Sequence, residues 1–160
     1  MQTRNIGTLA ASVIGLGCNN FGGRIDEAAS RAVVDAALDA GITLFDTADI
    51  YDFGTSEEIL GAALRGRRDR VILATKCGNP MDDSPLHRGL SARWIRESCE
   101  NSLSRLGVDH IDLYQMHRPD PGTDVEETLG ALTDLQRQGK IRAFGSSTFP
   151  AHEIVEAQWV

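Results

Sequence analysis

Residues 42–54 read ITLFDTADIYDFG. An apolar run stops at a carboxylate, Asp46, and a tyrosine follows at position 51. Such a stretch is a buried strand running into a polar turn, and its neighbours show what kind of sheet it belongs to. Before it, DEAASRAVVDAALDAG (26–41) has the period of a helix. Asp26 is placed to cap it, Ala29, Val33, Ala36 and Ala40 share a face, and Gly41 stops it. After it the alternation repeats. TSEEILGAALRG (55–66) starts with Thr55 and Glu58 in capping-box spacing and is followed by a strand, RVILATK (70–76). SARWIRESCENSLSRLG (91–107) puts Ile95, Cys99, Leu103 and Leu106 on one side and leads to HIDLYQMH (110–117). DVEETLGALTDLQRQG (124–139), capped by Asp124 with Glu127 three residues on, leads to KIRAFGSS (140–147), and PAHEIVEAQWV begins another helix.

Each interval between strands holds one helix, so consecutive strands are parallel, and strands apolar on both faces fit a sheet covered by helices. At the N-terminus, RNIG and LAASVIGLG flank Gly7-Thr8 and read as a β-hairpin. Two architectures accommodate these repeats. An open doubly wound sheet would carry a dinucleotide fingerprint after its first strand. GLGCNNFGG (15–23) approaches it but has Asn20 where the third glycine belongs. A closed (βα)8 barrel instead gathers polar chemistry at the C-terminal ends of several strands. That is the pattern here: Asp46 with Tyr51, then Lys76, then His117, then Ser146, Ser147 and Thr148, all directed to one mouth.

The chemistry of that set is specific. A tyrosine is protonated at neutral pH and can give its proton to a carbonyl oxygen becoming an alkoxide. The Lys76 ammonium would stabilise the phenolate left behind, and Asp46 would keep the lysine charged. His117 would hydrogen-bond and orient the substrate oxygen. A proton donor with neither nucleophile nor metal suits carbonyl reduction with hydride from a cofactor.

FDTADIYDFGTSEEILG, VILATKCG, HIDLYQMHRPD and GKIRAFGSSTF together resemble the successive signatures of the aldo-keto reductase superfamily, in the branch of bacterial oxidoreductases and potassium-channel β subunits. The resemblance covers essentially the whole chain. It implies a (βα)8 barrel whose base is closed by an N-terminal hairpin, and a cytoplasmic oxidoreductase that interconverts an aldehyde or ketone and an alcohol. It implies NADP(H), with NAD(H) as the alternative, and no metal. It makes Tyr51 the proton donor, Asp46 and Lys76 its charge partners and His117 the substrate-oxygen ligand. Asp46, Ser147 and Thr148 fall at cofactor-binding positions, as does the backbone of Gly17 and Cys18. Thr148 departs from the family's usual Asn, exchanging an amide for a single hydroxyl. The rival readings are a non-catalytic cofactor-sensing subunit and an inactive fragment.

A barrel of this kind takes about 250 residues, and the chain has 160. The expectation is therefore the hairpin plus about four βα units: residues 1–160 as the N-terminal half of the barrel domain, a truncated form whose open sheet edges favour self-association or pairing with a complementary half. The net charge of −7 argues against nucleic-acid and anionic-membrane partners. Three cysteines (Cys18, Cys77, Cys99) without a CxxC suit a reducing compartment. The apolar stretch before Cys18 is too diluted by Gly7, Thr8, Ser12 and Gly15 for a signal segment. His110 and His117 lie on opposite faces of one strand and share no metal; His110 and His152 read as structural. His87, in the long loop after the second strand, is a candidate substrate contact. Asp49 reads as a turn or supporting residue, Trp94 and Trp159 as packing residues, and Glu57-Glu58, Asp82-Asp83 and Glu126-Glu127 as solvated loop and helix-end charges.

Overall fold

The computed structural model describes residues 1–160. The hairpin forms as expected, with β1 (Thr3–Ile6) antiparallel to β2 (Leu9–Ser12) across Gly7-Thr8. The run after it, however, does not continue as one strand. It breaks at Val13-Ile14, and β3 (Gly15–Gly17) joins a different sheet, parallel to β4 (Leu44–Asp46). The parallel sheet thus has five strands rather than four, in the order β3-β4-β5-β6-β7, with β5 at Ile72–Cys77, β6 at Ile111–Met116 and β7 at Ile141–Ser146. A three-residue strand with two glycines has no periodicity to reveal it; it exists because β4 offers it a ladder.

Five helices follow β3 to β7 in turn: α1 (Glu27–Asp39), α2 (Thr55–Ala63), α3 (Ala92–Leu106), α4 (Val125–Arg137) and α5 (Ala151–Glu156). Asp26, Ser91 and Asp124 cap α1, α3 and α4 through their side chains. The expected box at Thr55 and Glu58 does not form: Gly54, at φ +98°, caps α2, and Thr55 is already helical. On α1 the buried face is Ser30, Val34, Ala37 and Leu38, not the stripe through Ala29, Val33, Ala36 and Ala40. Alanines and one valine stand on each side of this helix, so two faces look equally apolar, and the buried one is the face that carries Leu38. Trp94 packs as expected, but Trp159 lies beyond α5 and is 86% exposed.

Side-chain alternation along the strands divides the interior. Phe45, Leu73, Tyr114 and Ile141 join Ile95, Leu106 and Leu132 in the core between sheet and helices. On the other face, Leu44, Ile72, Ala74, Leu113 and Ala143 pack together, and Leu9 of the hairpin covers them at the base. Below the sheet, buried Asp112 accepts from the Leu73 N–H at 2.9 Å and pairs with Arg68 at 2.7 Å and Arg142 at 2.9 Å, tying three strands at their base. The chain is an α/β half-barrel, and no helix is long and apolar enough to cross a membrane.

Candidate active site

Moving up the inward face, the apolar layer gives way to Asp46, Lys76 and Gln115, with Lys76 and Gln115 directly paired in the β5–β6 register. The Lys76 side chain is 6% exposed, and its ammonium donates to Asp46 Oδ2 at 2.6 Å and to the Thr47 carbonyl at 2.8 Å. It also lies 3.4 Å from the Tyr51 hydroxyl and 5.0 Å from that ring's centre. Such a nearly buried charge is tolerable only because it is paired and hydrogen-bonded.

Tyr51 opens the 3₁₀ turn Tyr51–Gly54, in which Asp52 (φ 49°) and Phe53 (φ 51°) both adopt left-handed backbone. Two such non-glycine residues in succession cost of order 1 kcal/mol each. Asp52 is wedged against Gly22, where a Cβ would lie 2.5 Å from Asp52 Oδ2, and Phe53 is 71% exposed.

His117 completes the cluster. Its ring meets Tyr51 edge-on, with centres 5.8 Å apart. Its backbone is fixed from both sides, since its N–H donates to the Cys77 carbonyl at 2.8 Å and its carbonyl accepts from Thr148 Oγ1 at 2.6 Å. Burial, with Lys76 and then Arg118 adding to it, lowers the imidazole pKa to about 4 against the opposing effect of Asp46. His117 is therefore neutral at physiological pH.

The Ser147 N–H donates to the Met116 carbonyl at 2.8 Å, which carries the β6–β7 pairing one residue past β7 and sets Ser147 and Thr148 beside His117. Thr148 (φ 55°) has committed its hydroxyl proton to the His117 carbonyl, which leaves its oxygen free to act as an acceptor only. Gly17 ends β3 opposite Asp46, and a Cβ there would meet nothing within 4 Å, so the backbone borders open space. Its neighbour Cys18 is buried, with its N–H on the Asp46 carbonyl at 2.9 Å and its carbonyl accepting from Ser56 at 2.8 Å.

Three features of the site have little or no signal in the sequence. Gln115 Nε2 donates to Asp46 Oδ1 at 3.1 Å, leaving Oδ2 to Lys76; its position two residues before His117, on the inward face of β6, is the signal that marks it. Asn79 Nδ2 lies 2.9 Å from His117 Nδ1; its only signal is a place in the long loop after Lys76. Glu57, expected at the solvated start of a helix, is fully buried, accepting from Thr75 Oγ1 and Arg105 Nε at 2.6 Å each. Close to it, Asp49 is buried too, holds Ser98 Oγ at 3.1 Å and has its pKa raised to about 7 by burial and by the Glu57 charge. His87 contacts Asp82 at 2.6 Å and stacks on Trp94 with centres 5.1 Å apart, and neither partner belongs to the Tyr51 cluster. His110 pairs with Asp109 and Asp112 at the opposite end of β6. No group of three His, Cys, Asp or Glu side chains is arranged to hold a metal ion.

The model of the aldo/keto reductase family matches residues 13–160. Aldo-keto reductase YhdN of Bacillus subtilis is 47% identical over 152 residues, which is 91% of this chain and 46% of that protein. A probable voltage-gated potassium channel subunit beta of Oryza sativa is 36% identical, over 98% of this chain and 49% of its own length. The solved structure of aldo-keto reductase AKR11C1 from Bacillus halodurans, in its holo form, superposes with a TM-score of 0.89 at 39% identity, covering 98% of this chain and 53% of that one. The chain thus spans about half the length of the relatives it matches.

Proposed function

The chain belongs to the aldo/keto reductase family, and from that premise we propose that it carries the proton-donating apparatus of an NADP(H)-dependent oxidoreductase that interconverts a small aldehyde or ketone and its alcohol. The observation that carries this reading is the position of one ammonium: Lys76 Nζ touches Asp46 Oδ2 and reaches the Tyr51 hydroxyl. Tyr51 then donates its proton to the substrate oxygen, Lys76 stabilises the phenolate as the proton leaves, Asp46 holds Lys76 charged, and neutral His117 orients the oxygen.

The residues at the mouth fit the nicotinamide end of the cofactor. A carboxamide needs an acceptor and a donor, which Thr148 Oγ1 and the Ser147 hydroxyl would supply, and the bare Gly17 backbone leaves room beside Asp46. When bound, that group supplies the hydride, and this chain's own residues supply the proton and the orientation. The engaged backbone and buried thiol of Cys18 leave Gly17 as the contact of that pair. NADPH is the first choice and NADH the alternative. A neighbour solved in its holo form supports a bound cofactor. Residues 1–160 serve, in this reading, as the N-terminal half of the barrel domain, supported by the match of nearly the whole chain to about half of a solved reductase. The channel-subunit likeness offers a non-catalytic alternative, and the assembled Asp46-Tyr51-Lys76-His117 cluster favours catalysis over it.

The test is NADPH and NADH oxidation with a panel of aldehydes and ketones, for the chain and for Tyr51→Phe. The reading expects turnover that falls at least about 100-fold on loss of the phenol, in keeping with general-acid contributions. Equal rates in the two proteins would remove Tyr51 from its role.

A further inference from the structure

We propose that Asn79 is a positioning residue that selects the tautomer of His117: its side-chain amide holds the imidazole with the proton on Nε2, so that His117 offers one neutral N–H donor to the substrate oxygen. This rests on the reductase reading in assigning that oxygen, but the tautomer itself does not depend on it.

The argument is one of donors and acceptors. Asn79 is 9% exposed and lies just past β5, at the rim that Lys76 shares. Its Nδ2 stands 2.9 Å from His117 Nδ1. An amide NH₂ only donates, so Nδ1 must accept. A neutral imidazole carries one N–H, which is then on Nε2. An imidazolium would set an N–H against the amide NH₂, donor against donor. The surroundings agree: burial first, then Lys76 and Arg118, disfavour a cation at this position, Asp46 favours it, and the neutral form prevails. The contact sits in a defined setting: the His117 backbone is held by Cys77 and Thr148, and the ring lies at 84° to Tyr51 with centres 5.8 Å apart. Work is thereby divided at the mouth. Tyr51 is the group whose proton leaves, and His117 is a fixed donor that orients without transferring. A site so equipped selects a ligand presenting an acceptor oxygen.

The protonation state can be read without turnover. In uniformly ¹⁵N-labelled chain, long-range ¹H–¹⁵N spectra distinguish protonated from bare ring nitrogens, and His117→Gln assigns the His117 signals among the four histidines. The proposal expects a protonated Nε2 and a bare Nδ1 at pH 7. Asn79→Asp replaces the donor by a carboxylate that accepts. It should protonate Nδ1 and raise the His117 titration midpoint by about one unit or more, as a close opposite charge does. Asn79→Leu should leave a mixture of tautomers. In the enzymatic assay Asn79→Asp should lower kcat about 10-fold or more with little change in KM. A wild-type ring protonated on Nδ1 would overturn the proposal, and so would an Asn79→Asp ring identical to wild type. If neither variant folds, Asn79→Ala, which removes the donor without adding charge or bulk, is read in the same spectra for the mixture of tautomers. An Nε2-protonated ring in a chain that turns over no carbonyl compound would retire the reductase reading and leave the Asn79 assignment standing.

Discussion

Lys76 Nζ and Asp46 Oδ2 stand 2.6 Å apart across neighbouring parallel strands, and the two partners are unequally buried, at 6% and 34% side-chain exposure. That inequality predicts an asymmetry. Asp46→Ala leaves an ammonium buried with only the Thr47 carbonyl and the Tyr51 hydroxyl, and should cost about 2–3 kcal/mol of stability, somewhat below the cost of breaking a fully buried pair. Lys76→Met leaves a carboxylate that water reaches and that Gln115 still bonds, and should cost about 1 kcal/mol or less. Urea unfolding of the two variants gives the comparison.

Two groups make opposite demands on pH. The His117 pKa is lowered to about 4 from 6.5, so between those values the unfolded chain binds more protons and stability rises with pH. The Asp49 pKa is raised to about 7 from 3.8, so across that window the folded chain binds more protons and stability falls as pH rises. Asp49→Asn removes the second demand. Its stability relative to wild type should therefore increase from pH 4 to pH 7, by at most about 1.4 kcal/mol per unit. Unfolding curves at pH 4.5 and 7 measure the change.

Gly61 lies on α2 where that helix crosses the end of α3, and a Cβ there would overlap the Leu106 carbonyl and lie 2.7 Å from its Cα. In an open helix Gly→Ala stabilises by about 1 kcal/mol. Here the obstacle is backbone, so Gly61→Ala should destabilise by about 1–3 kcal/mol. Thermal melting reads the sign directly.

All three cysteines are free and buried, and burial pushes the Cys18 and Cys99 thiols up to about 12 and Cys77 higher. Thiolate is the reactive form. The native chain should resist a thiol-specific disulfide reagent at pH 7.5, and all three should react in denaturant. Rapid labelling of Cys77 in the native chain would contradict the packing around Lys76.

The parallel sheet ends in β3 on one side and β7 on the other, each with an unpaired edge. Unpaired edges template further pairing. Light scattering after size-exclusion chromatography should show the isolated chain above monomer mass, and a monodisperse, cooperatively melting monomer would refute this.

The repeating strand-and-helix pattern, the parallel direction and the convergence of Asp46, Tyr51, Lys76 and His117 were legible in the residues, because each rests on local periodicity or on a place at or just past the C-terminal end of a strand. Ambiguous composition hides the rest: the alanine-rich α1 conceals its buried face, and Thr55 and Glu58 have capping-box spacing although Gly54 does the capping. β3 is too short to carry a pattern of its own. Glu57 looks like any acidic residue in a first turn until Arg105, 48 residues later, is folded onto it.

The sequence by itself thus determined the kind of sheet, the mouth at which its chemistry gathers and the family. Tertiary structure decided which carboxylates are solvated and which are buried, which face of α1 turns inward, and which nitrogen of His117 is bonded. The physical reason is range. Periodicity is a property of neighbours along the chain, whereas the protonation of a buried group depends on contacts such as Asn79 with His117, 38 residues apart, which only the closed strands bring together.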